Sequence, residues 1–452
     1  MRRWPGLLAV LLCLVELHTY AQDEASVLTL KEARRVALAN RPAVKAGQLS
    51  VASAQQATAA VESARYPQLW GSLTVANALR ETETINGQTV TLDSRIAAGG
   101  LNNPLVLRRD AGGLFLSQLV TDFGRTTKLV ESAKNSETAQ QHQAIATRAQ
   151  ILLEVSDAYY AALAAQAVLL VATKTVDARK LLLDRVTALT QNKLRSALDV
   201  SFAQVNLGEA QLLQLKARNA VDAAFARLST SLGYRDGRRF TLVDEASVEV
   251  PPGELGSILA DAIAARPELA SLRADREAAR KFADAQHALR FPTINLYAAA
   301  GVTPIGDERF SNQYGAIGVN LNIPVLDGGK ITALEKGAKF KAEALSEGVT
   351  EAENNVTEAV RVAWLNAKAA YENIGITSSL KDAATQALKL ADSRYNLGIT
   401  SIIELNQAQL SAIGAEIAYS RAKYGYLAAL DILSYQVGTL DAQVAGAAGG
   451  AR

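Results

Sequence analysis

Four segments of the chain place apolar residues at every second position, the spacing of a β-strand with one apolar and one polar face. They form two strand-and-return pairs, 68–75 with a weaker 114–116, and 293–300 with 317–323. The pairs predict β-hairpins over 67–121 and 292–325. This pattern is typical of a transmembrane barrel with a wet interior and equally of a soluble β-sandwich, so the strands alone leave both open.

After the first hairpin the period of the pattern changes to that of an α-helix. No glycine or proline occurs between Arg125 and Leu207, and this stretch is rich in Ala, Leu, Glu, Lys and Gln, which are good helix formers. A helix from Arg125 to about Asn192 would be roughly 100 Å long at 1.5 Å per residue. The sequence therefore predicts a helix that is too long for a compact domain.

The chain contains the same unit twice. The stretch from Asp122 to Gly233 returns from Asp327 to Gly438 at a constant offset of 205 (327 minus 122). Such a register indicates internal duplication. We expect a first repeat over 22–233 with a long helical hairpin at 124–233, a connector over 234–256, a second repeat over 257–438 with its helical hairpin at 328–438, and a flexible tail over 439–452.

Proline, glycine and aspartate mark the ends of the predicted strands. Pro67 and Pro292 each follow an aromatic residue, and each predicts the point where a helix ends and a strand begins. The return strands end in the sequence Asp-x-Gly-basic. There the glycine lets the backbone turn and the aspartate caps the next helix. These turn residues are Asp122, Gly124, Asp327 and Gly329.

A second kind of turn lies at the far end of each long helix. Gly398 suits a left-handed helix end. Ser196 and Ser401 are followed three residues later by Asp199 and Glu404, which is the spacing of a capping box at the start of a return helix. A plain helical hairpin explains this turn without any further function.

The first 21 residues predict a secretory signal peptide. Arg2 and Arg3 precede an apolar run, and small residues stand at the cleavage positions before Gln22. Cys13, the only cysteine of the chain, lies inside this segment. The mature chain is therefore expected to have neither disulfides nor thiolate ligands.

The remaining composition argues against several function classes. The chain has 47 basic and 45 acidic residues, so it lacks the electrostatic footprint of a nucleic-acid-binding protein. His142 and His287 stand alone, without the spacing of a metal pair. Neither a nucleophile elbow nor a phosphate-binding loop occurs. We expect no enzymatic activity, no cofactor, no metal and no nucleic-acid partner.

Four strands in one chain cannot close a membrane barrel, for which about eight strands is the lower limit. An open sheet edge in lipid leaves backbone groups unpaired, at a cost of several kcal/mol each. A membrane-spanning form must therefore oligomerise, with eight strands from two copies or twelve from three.

The order of these elements, together with their double occurrence, resembles the TolC-type outer-membrane efflux channel family over residues 28–438. The resemblance implies a mainly α fold with a small β part. Duplicated long helical hairpins would form an α-barrel, and four transmembrane strands per chain would form a trimeric 12-stranded β-barrel in outer-membrane lipid of a Gram-negative bacterium. The channel would extend into the periplasm and serve tripartite efflux or type I secretion. Expected partners are a periplasmic adaptor (membrane fusion) protein and an inner-membrane pump of the RND, MFS or ABC type.

The resemblance also assigns roles at the hairpin turns. Asp199 and Glu404 correspond to acidic sites of the family's periplasmic gate, and Tyr395 to a tyrosine that helps to close it. Six such carboxylates in a trimer would make the pore prefer cations. If its hydroxyl bonds Asp199, Tyr395→Phe should raise conductance. Residues Ser196, Gly398 and Ser401 would contact the adaptor.

Three positions depart from the family pattern. Thr400 stands where some members have a basic residue, Gln407 where they have a second acid, and Lys193 where the first turn usually has glycine. Thr400 and Gln407 predict a less tightly closed gate, whereas Lys193 bears on how the first hairpin tip meets an adaptor. A soluble periplasmic coiled-coil protein such as an adaptor is the alternative. An adaptor would carry one helical hairpin between β-rich halves, whereas this chain carries two helical hairpins.

Overall fold

The computed structural model of the chain describes residues 27–77, 80–93, 108–244, 250, 253–302 and 311–441. The predicted signal peptide and Cys13 lie outside these residues. Within them the chain is mainly helical with a small β part, as predicted. The helices are α1 (Leu30–Asn40), α2 (Pro42–Glu62), α3 (Arg125–Gln191), α4 (Ala197–Ser231), α5 (Leu255–Ala265), α6 (Pro267–His287), α7 (Lys330–Asn396) and α8 (Ile402–Val437).

The two long helices confirm the duplication and the predicted helix length. Helices α3 and α7 each contain 67 residues, which corresponds to roughly 100 Å. Each packs along the helix that follows it, α3 on α4 and α7 on α8, and α3 also packs on α8. Pro42 and Pro267 occupy the first turns of α2 and α6, where a missing N–H costs nothing.

Four of the strands form one antiparallel sheet in the order β2-β5-β7-β8. The predicted hairpins are its two halves, and the pairing of β5 with β7 joins the first repeat to the second. The strands of the described chain are β1 (Val27–Leu28), β2 (Gln68–Asn77), β3 (Arg80–Ile85), β4 (Gln88–Asp93), β5 (Arg108–Thr121), β6 (Thr241–Leu242), β7 (Thr293–Val302) and β8 (Gln313–Asn322).

The sheet has one continuous apolar face. Leu69, Leu116, Ala298 and Ile317 are aligned across its four strands. Leu69 is 64% exposed and Ile317 is 78% exposed, so none of the described residues of the same chain covers this face. The opposite face carries polar residues and a stacked aromatic pair, Trp70 and Phe115, whose ring centroids lie 6.2 Å apart.

Several features differ from the sequence-based expectations. Val27 and Leu28 form a short strand, β1, which pairs in parallel with β6 from the predicted connector. A second hairpin, β3-β4, lies between β2 and β5, inside the span predicted as a single hairpin. The first residues of the predicted flexible tail are packed. Leu440 is fully buried, and Asp441 accepts a hydrogen bond from Arg148.

Apolar residues between the helices form three clusters. The largest joins α1, the middle of α3, the end of α4 and part of α8. Among the described helices, α3 alone contains a window apolar enough to cross a membrane by composition. In that stretch Ala158, Tyr159 and Ala162 lie in the core, so we interpret it as a packed helix. A smaller cluster joins the ends of the two helical hairpins.

Candidate functional site

Both long helices end in the same hydrogen-bonded turn. At the end of α3, the N–H of Leu194 donates to the carbonyl of Leu189 and that of Lys193 donates to Thr190, each over 2.9 Å. The second copy repeats these bonds around Gly398. This pattern requires a left-handed residue at its centre. Gly398 has a φ of 73° and Lys193 a φ of 61°, so the lysine adopts a conformation that glycine adopts more easily.

The return helices begin with the predicted serine caps. In the first copy, Ser196 and Asp199 form a full capping box, in which each side chain accepts a hydrogen bond from the other residue's N–H over 3.3 Å. In the second copy, Ser401 accepts from the N–H of Glu404 over 3.4 Å. The Glu404 carboxylate instead accepts from the hydroxyl of Thr400. Both acids are therefore engaged in helix starts.

Basic side chains lie beside these acids. Arg394 lies 3.6 Å from the Glu404 carboxylate, and Arg185 donates to Asn396 over 2.7 Å. Arg195 belongs to the first turn, between Lys193 and the capping serine. The prediction that the pore prefers cations considered only the negative charges of the two carboxylates. The positive charges of these arginines act against that preference. The preference stays a prediction.

Tyr395 lies in the joint between the two hairpin ends. It is 1% exposed, and its hydroxyl has no hydrogen-bond partner among the described residues, so the proposed bond to Asp199 does not form within one chain. The Arg195 guanidinium lies 4.4 Å above its ring and donates to its carbonyl over 2.9 Å. Burial raises the pKa of Tyr395; Asp199 also raises it, and Arg195 lowers it.

Sequence reasoning did not identify Arg195. The family pattern points to a basic residue at position 400 of the second copy, and the residue there is Thr400. The cation that contacts the tyrosine comes instead from the first copy. Position 195 corresponds to position 400 at the offset of 205 (400 minus 195). Alignment of the two repeats could therefore have identified Arg195 as the basic residue of this region.

The strand-to-helix turns have the predicted geometry. Gly124 and Gly329 have φ values of 92° and 87°, in the left-handed region that favours glycine. Asp122 and Asp327 each accept a hydrogen bond from the N–H four residues later, over 2.7 Å and 2.6 Å. Hydrogen bonds from the backbone, first that of Ile331, lower the pKa of Asp327. The turns fix the angle at which each long helix leaves the sheet.

The helix-to-strand turns end in short 3₁₀ segments before Pro67 and Pro292. Beside the second turn lies Glu335 of α7, whose side chain is 8% exposed. It accepts from Lys339 and from Arg290, each over 2.7 Å, and contacts His287 over 3.2 Å. The exposed His287 thus takes part in a cluster that ties α6 to α7.

The cluster makes a pH-dependent contribution to stability. Bonds from Lys339, His287 and Arg290 lower the pKa of Glu335 from 4.5 to about 2. The stabilisation is fully present above pH 4.5 and is lost as the pH falls toward 2. We expect Glu335→Gln to lower the melting temperature at pH 7 and the deficit to shrink below pH 4.5. The control is Glu351→Gln, at an exposed position of the same helix, measured by the same thermal melts. If Glu335→Gln lowers the melting temperature equally at all pH values, the proposed dependence on the pKa of Glu335 is contradicted.

Among the described residues, no three or more His, Cys, Asp or Glu side chains lie together as a possible metal-binding group. His142 lies half-buried on α3, far along the sequence from His287. The features of this region are turns, helix caps and the joint around Tyr395, which are suited to positioning helices.

Parts of the chain are similar in sequence to known proteins. The alkaline protease secretion protein AprF of Pseudomonas aeruginosa is 27% identical over 183 residues, which are 40% of this chain and 38% of AprF. The outer membrane protein TolC of Salmonella enteritidis is 23% identical over 303 residues, which are 65% of this chain and 62% of TolC. The matched segments thus span less than two thirds of either relative.

The fold extends over nearly the whole chain. The crystal structure of the CmeC outer membrane channel of Campylobacter jejuni superposes with a TM-score of 0.76 at 16% identity, over 91% of this chain and 86% of CmeC. A family model described as outer membrane efflux protein matches residues 33–234 and 258–439, one segment in each repeat. Since these segments make up most of the sequence, the chain belongs to the outer membrane efflux protein family.

Proposed function

We propose that this protein is the outer-membrane channel of a tripartite efflux or type I secretion system, a passive conduit from a periplasmic adaptor and an inner-membrane pump to the exterior. One observation carries the proposal. A sheet with an uncovered apolar face continues through rigid turns into two helices of 67 residues each. A sheet suited to lipid is thereby joined to helices that are long enough to cross the periplasm.

The sheet edges support closure by oligomerisation. Strands β2 and β8 are its two edges. Because each neighbouring pair is antiparallel, β2 and β8 run in opposite directions. The β8 edge of one chain therefore pairs antiparallel with the β2 edge of the next, and the pattern continues around a ring. Three copies give the 12-stranded barrel of a homotrimer, and closure removes the unpaired edges that lipid does not tolerate.

In this arrangement the apolar face contacts outer-membrane lipid and the face with Trp70 lines the lumen. The helical hairpins of three chains form the α-barrel in the periplasm. Its tips, with Ser196, Gly398 and Ser401, contact the adaptor. Asp199, Glu404 and Tyr395 lie at the periplasmic gate, where Arg195 holds the two hairpin ends together.

Cargo choice belongs to the pump in this proposal. One relative is named for protease secretion and others for multidrug resistance, so chains of this type are associated with different cargoes. The proposed pump is of the RND, MFS or ABC type. A passive conduit needs only a lumen and a gate.

Cysteine pairs across the β2 and β8 edges test the assembly. Directly opposed residues on neighbouring strands have Cβ atoms about 5 Å apart, close to disulfide distance. Leu73→Cys on β2 is combined in turn with Ile317→Cys, Val319→Cys or Leu321→Cys on β8. In the combination that is in register, we expect disulfide-linked species of two and three chains and none larger. Single variants are the controls. A ladder that stops at two chains would contradict the trimer.

Membrane extraction and conductance measurements distinguish the proposed channel from the alternative, a soluble periplasmic protein. A channel should be extracted from the outer membrane only with detergent and should conduct ions in a planar bilayer. A periplasmic adaptor would be released by osmotic shock and would form no cross-link between strand edges. Release without detergent would overturn the proposal.

A further inference from the structure

An arginine occupies a core position of helix α3. The buried residues of this part of the helix are separated by alternating three and four positions, which is the seam of a helix packed in a coiled coil. Four of them are small or apolar, and the fifth is Arg179, which is 3% exposed. The seam residues are Ala172, Thr175, Arg179, Leu182 and Val186.

The charge of Arg179 has no direct counter-ion in the described part of the chain. Its Nη1 atom is buried and has no hydrogen-bond acceptor. Burial lowers its pKa, and Glu209 of α4, which is close enough to act electrostatically, opposes that effect. Arginine nevertheless remains charged in proteins. A buried charge without a bonded partner is costly, so the position calls for an anion.

The second repeat shows that the fold does not need this arginine. At the offset of 205, position 179 corresponds to Ala384, which is also buried. Position 209 corresponds to Gly414 in the same way. The equivalent helix pair is therefore built with small residues, and Arg179 is a specific property of the first repeat.

Arg179 lines a cavity between α3, α7 and α8 with a volume of about 420 Å³. This is within the usual range for small-molecule sites. Most of the wall is apolar. Lys174 lies exposed on the same wall, and the buried Oε1 of Gln409 faces no donor among the described residues. The acid of this wall, Glu416, lies 3.8 Å from Lys381. Apolar wall residues include Leu170, Val171, Leu388, Ala412 and Ile413.

We propose that this cavity binds an amphipathic organic anion, with its carboxylate or sulfonate accepting hydrogen bonds from Arg179 and Lys174 and its apolar body lying between α3 and α8. A single chain supplies all of the lining, so the site does not depend on the proposed channel function. Arg179 is 12 residues from the end of α3 (191 minus 179), or roughly 18 Å from the hairpin turn at 1.5 Å per residue. A ligand there would contact both hairpins close to their joint.

Calorimetric titration of the purified full-length protein with 2-naphthoate tests the proposal. This probe is a soluble aromatic carboxylate, and 2-naphthamide is its neutral counterpart of the same shape. We expect one saturable site per chain for 2-naphthoate and at least tenfold weaker binding of 2-naphthamide. Absence of saturable 2-naphthoate binding, or equal binding of both probes, would overturn the proposal.

Variants assign the binding to Arg179. Arg179→Ala reproduces the residue of the second repeat and is expected to fold, with at least tenfold weaker 2-naphthoate binding. Arg179→Gln gives the same test at nearly unchanged side-chain volume. Arg218→Ala, which removes an exposed arginine of α4, should bind as the wild type does. Undiminished binding by both position-179 variants would overturn the site.

Thermal melts of the same variants, together with measurements of the mass of their oligomers, test whether a neighbouring chain fills the cavity instead of a ligand. If a carboxylate from a neighbouring chain fills the cavity, Arg179→Ala should lower the melting temperature and weaken the oligomer. With an empty ligand site, loss of an uncompensated charge leaves the melting temperature equal or higher. A destabilised oligomer with unchanged 2-naphthoate binding would contradict the proposal.

Discussion

Replacing Arg195 with glutamine is expected to open the periplasmic end of the proposed channel. Within one chain, the guanidinium of Arg195 lies 4.4 Å from the centre of the Tyr395 ring and donates a hydrogen bond to the Tyr395 carbonyl over 2.9 Å. A partly desolvated cation–π contact and a charged hydrogen bond together contribute about 2 kcal/mol. Loss of 2 kcal/mol shifts an equilibrium between closed and open forms on the order of 30-fold. Single-channel recordings should therefore show a clear rise in conductance or open time.

Two further variants separate the contacts. Tyr395→Phe keeps the ring and the carbonyl and removes only a hydroxyl that has no partner among the described residues, so the structure predicts conductance close to the wild type. Arg195→Lys keeps the charge but loses the planar guanidinium, so we expect an intermediate effect. Wild-type conductance in Arg195→Gln, together with a rise in Tyr395→Phe, would favour the lock to Asp199 that the family resemblance implies, formed between chains.

The sequence predicted most of the fold because duplication repeats each signal. The Asp-x-Gly turns, the serine caps and the helix restarts at Pro42 and Pro267 each occur twice at matched positions. Strand alternation and the absence of helix breakers then fixed the element types. A local signal that is ambiguous on its own, such as the weak return strand around Leu114, became clear from its stronger counterpart near Ile317.

The missed features have no repeated or periodic signal. Strands β1 and β6 are two residues long, too short for any alternation to be visible. The hairpin β3-β4 turns at Asn86-Gly87, a sequence typical of a two-residue β-turn, but its flanking residues are mostly polar and do not alternate clearly. The sequence therefore predicted only one hairpin over 67–121.

Two arginines with structural contacts were missed for a related reason. A single basic residue, such as Arg179 in a helix or Arg195 in a turn, resembles a solvated surface position in the sequence. Only the register of the neighbouring helix shows that Arg179 is buried and that Arg195 contacts Tyr395. The contacts of Glu335 with His287 and Arg290 likewise link residues 45 or more positions apart, and no local pattern predicts them.

Substitution of Gly301 by alanine is expected to prevent assembly of the sheet. A Cβ atom at this position would lie 2.8 Å from the Cα of Gly113 and 2.7 Å from the Tyr314 hydroxyl, and even closer to the carbonyl oxygen of Gly112. Gly301 and Gly113 are direct partners in the pairing of β5 with β7. Backbone atoms cannot move aside as a flexible side chain can, so the two strands must separate locally.

This pairing joins the two repeats within the sheet, so its loss separates the halves rather than distorting one hairpin. We expect Gly301→Ala to lower the amount of detergent-extracted oligomer in the outer membrane about tenfold, measured by immunoblot of unheated samples. Gly315→Ala on β8 is the matched control, because its Cβ would meet nothing closer than 3.9 Å.

A double variant identifies which clash matters. Tyr314→Phe removes the hydroxyl near Gly301 but leaves the backbone of Gly112 and Gly113 in place. If the backbone clash dominates, adding Tyr314→Phe to Gly301→Ala will not restore the oligomer. Rescue would assign the defect to the tyrosine, and wild-type assembly of Gly301→Ala alone would contradict the close approach of β5 and β7. Since closure of the proposed barrel requires every strand pair to be intact, a clash at one pair should prevent its closure as a whole.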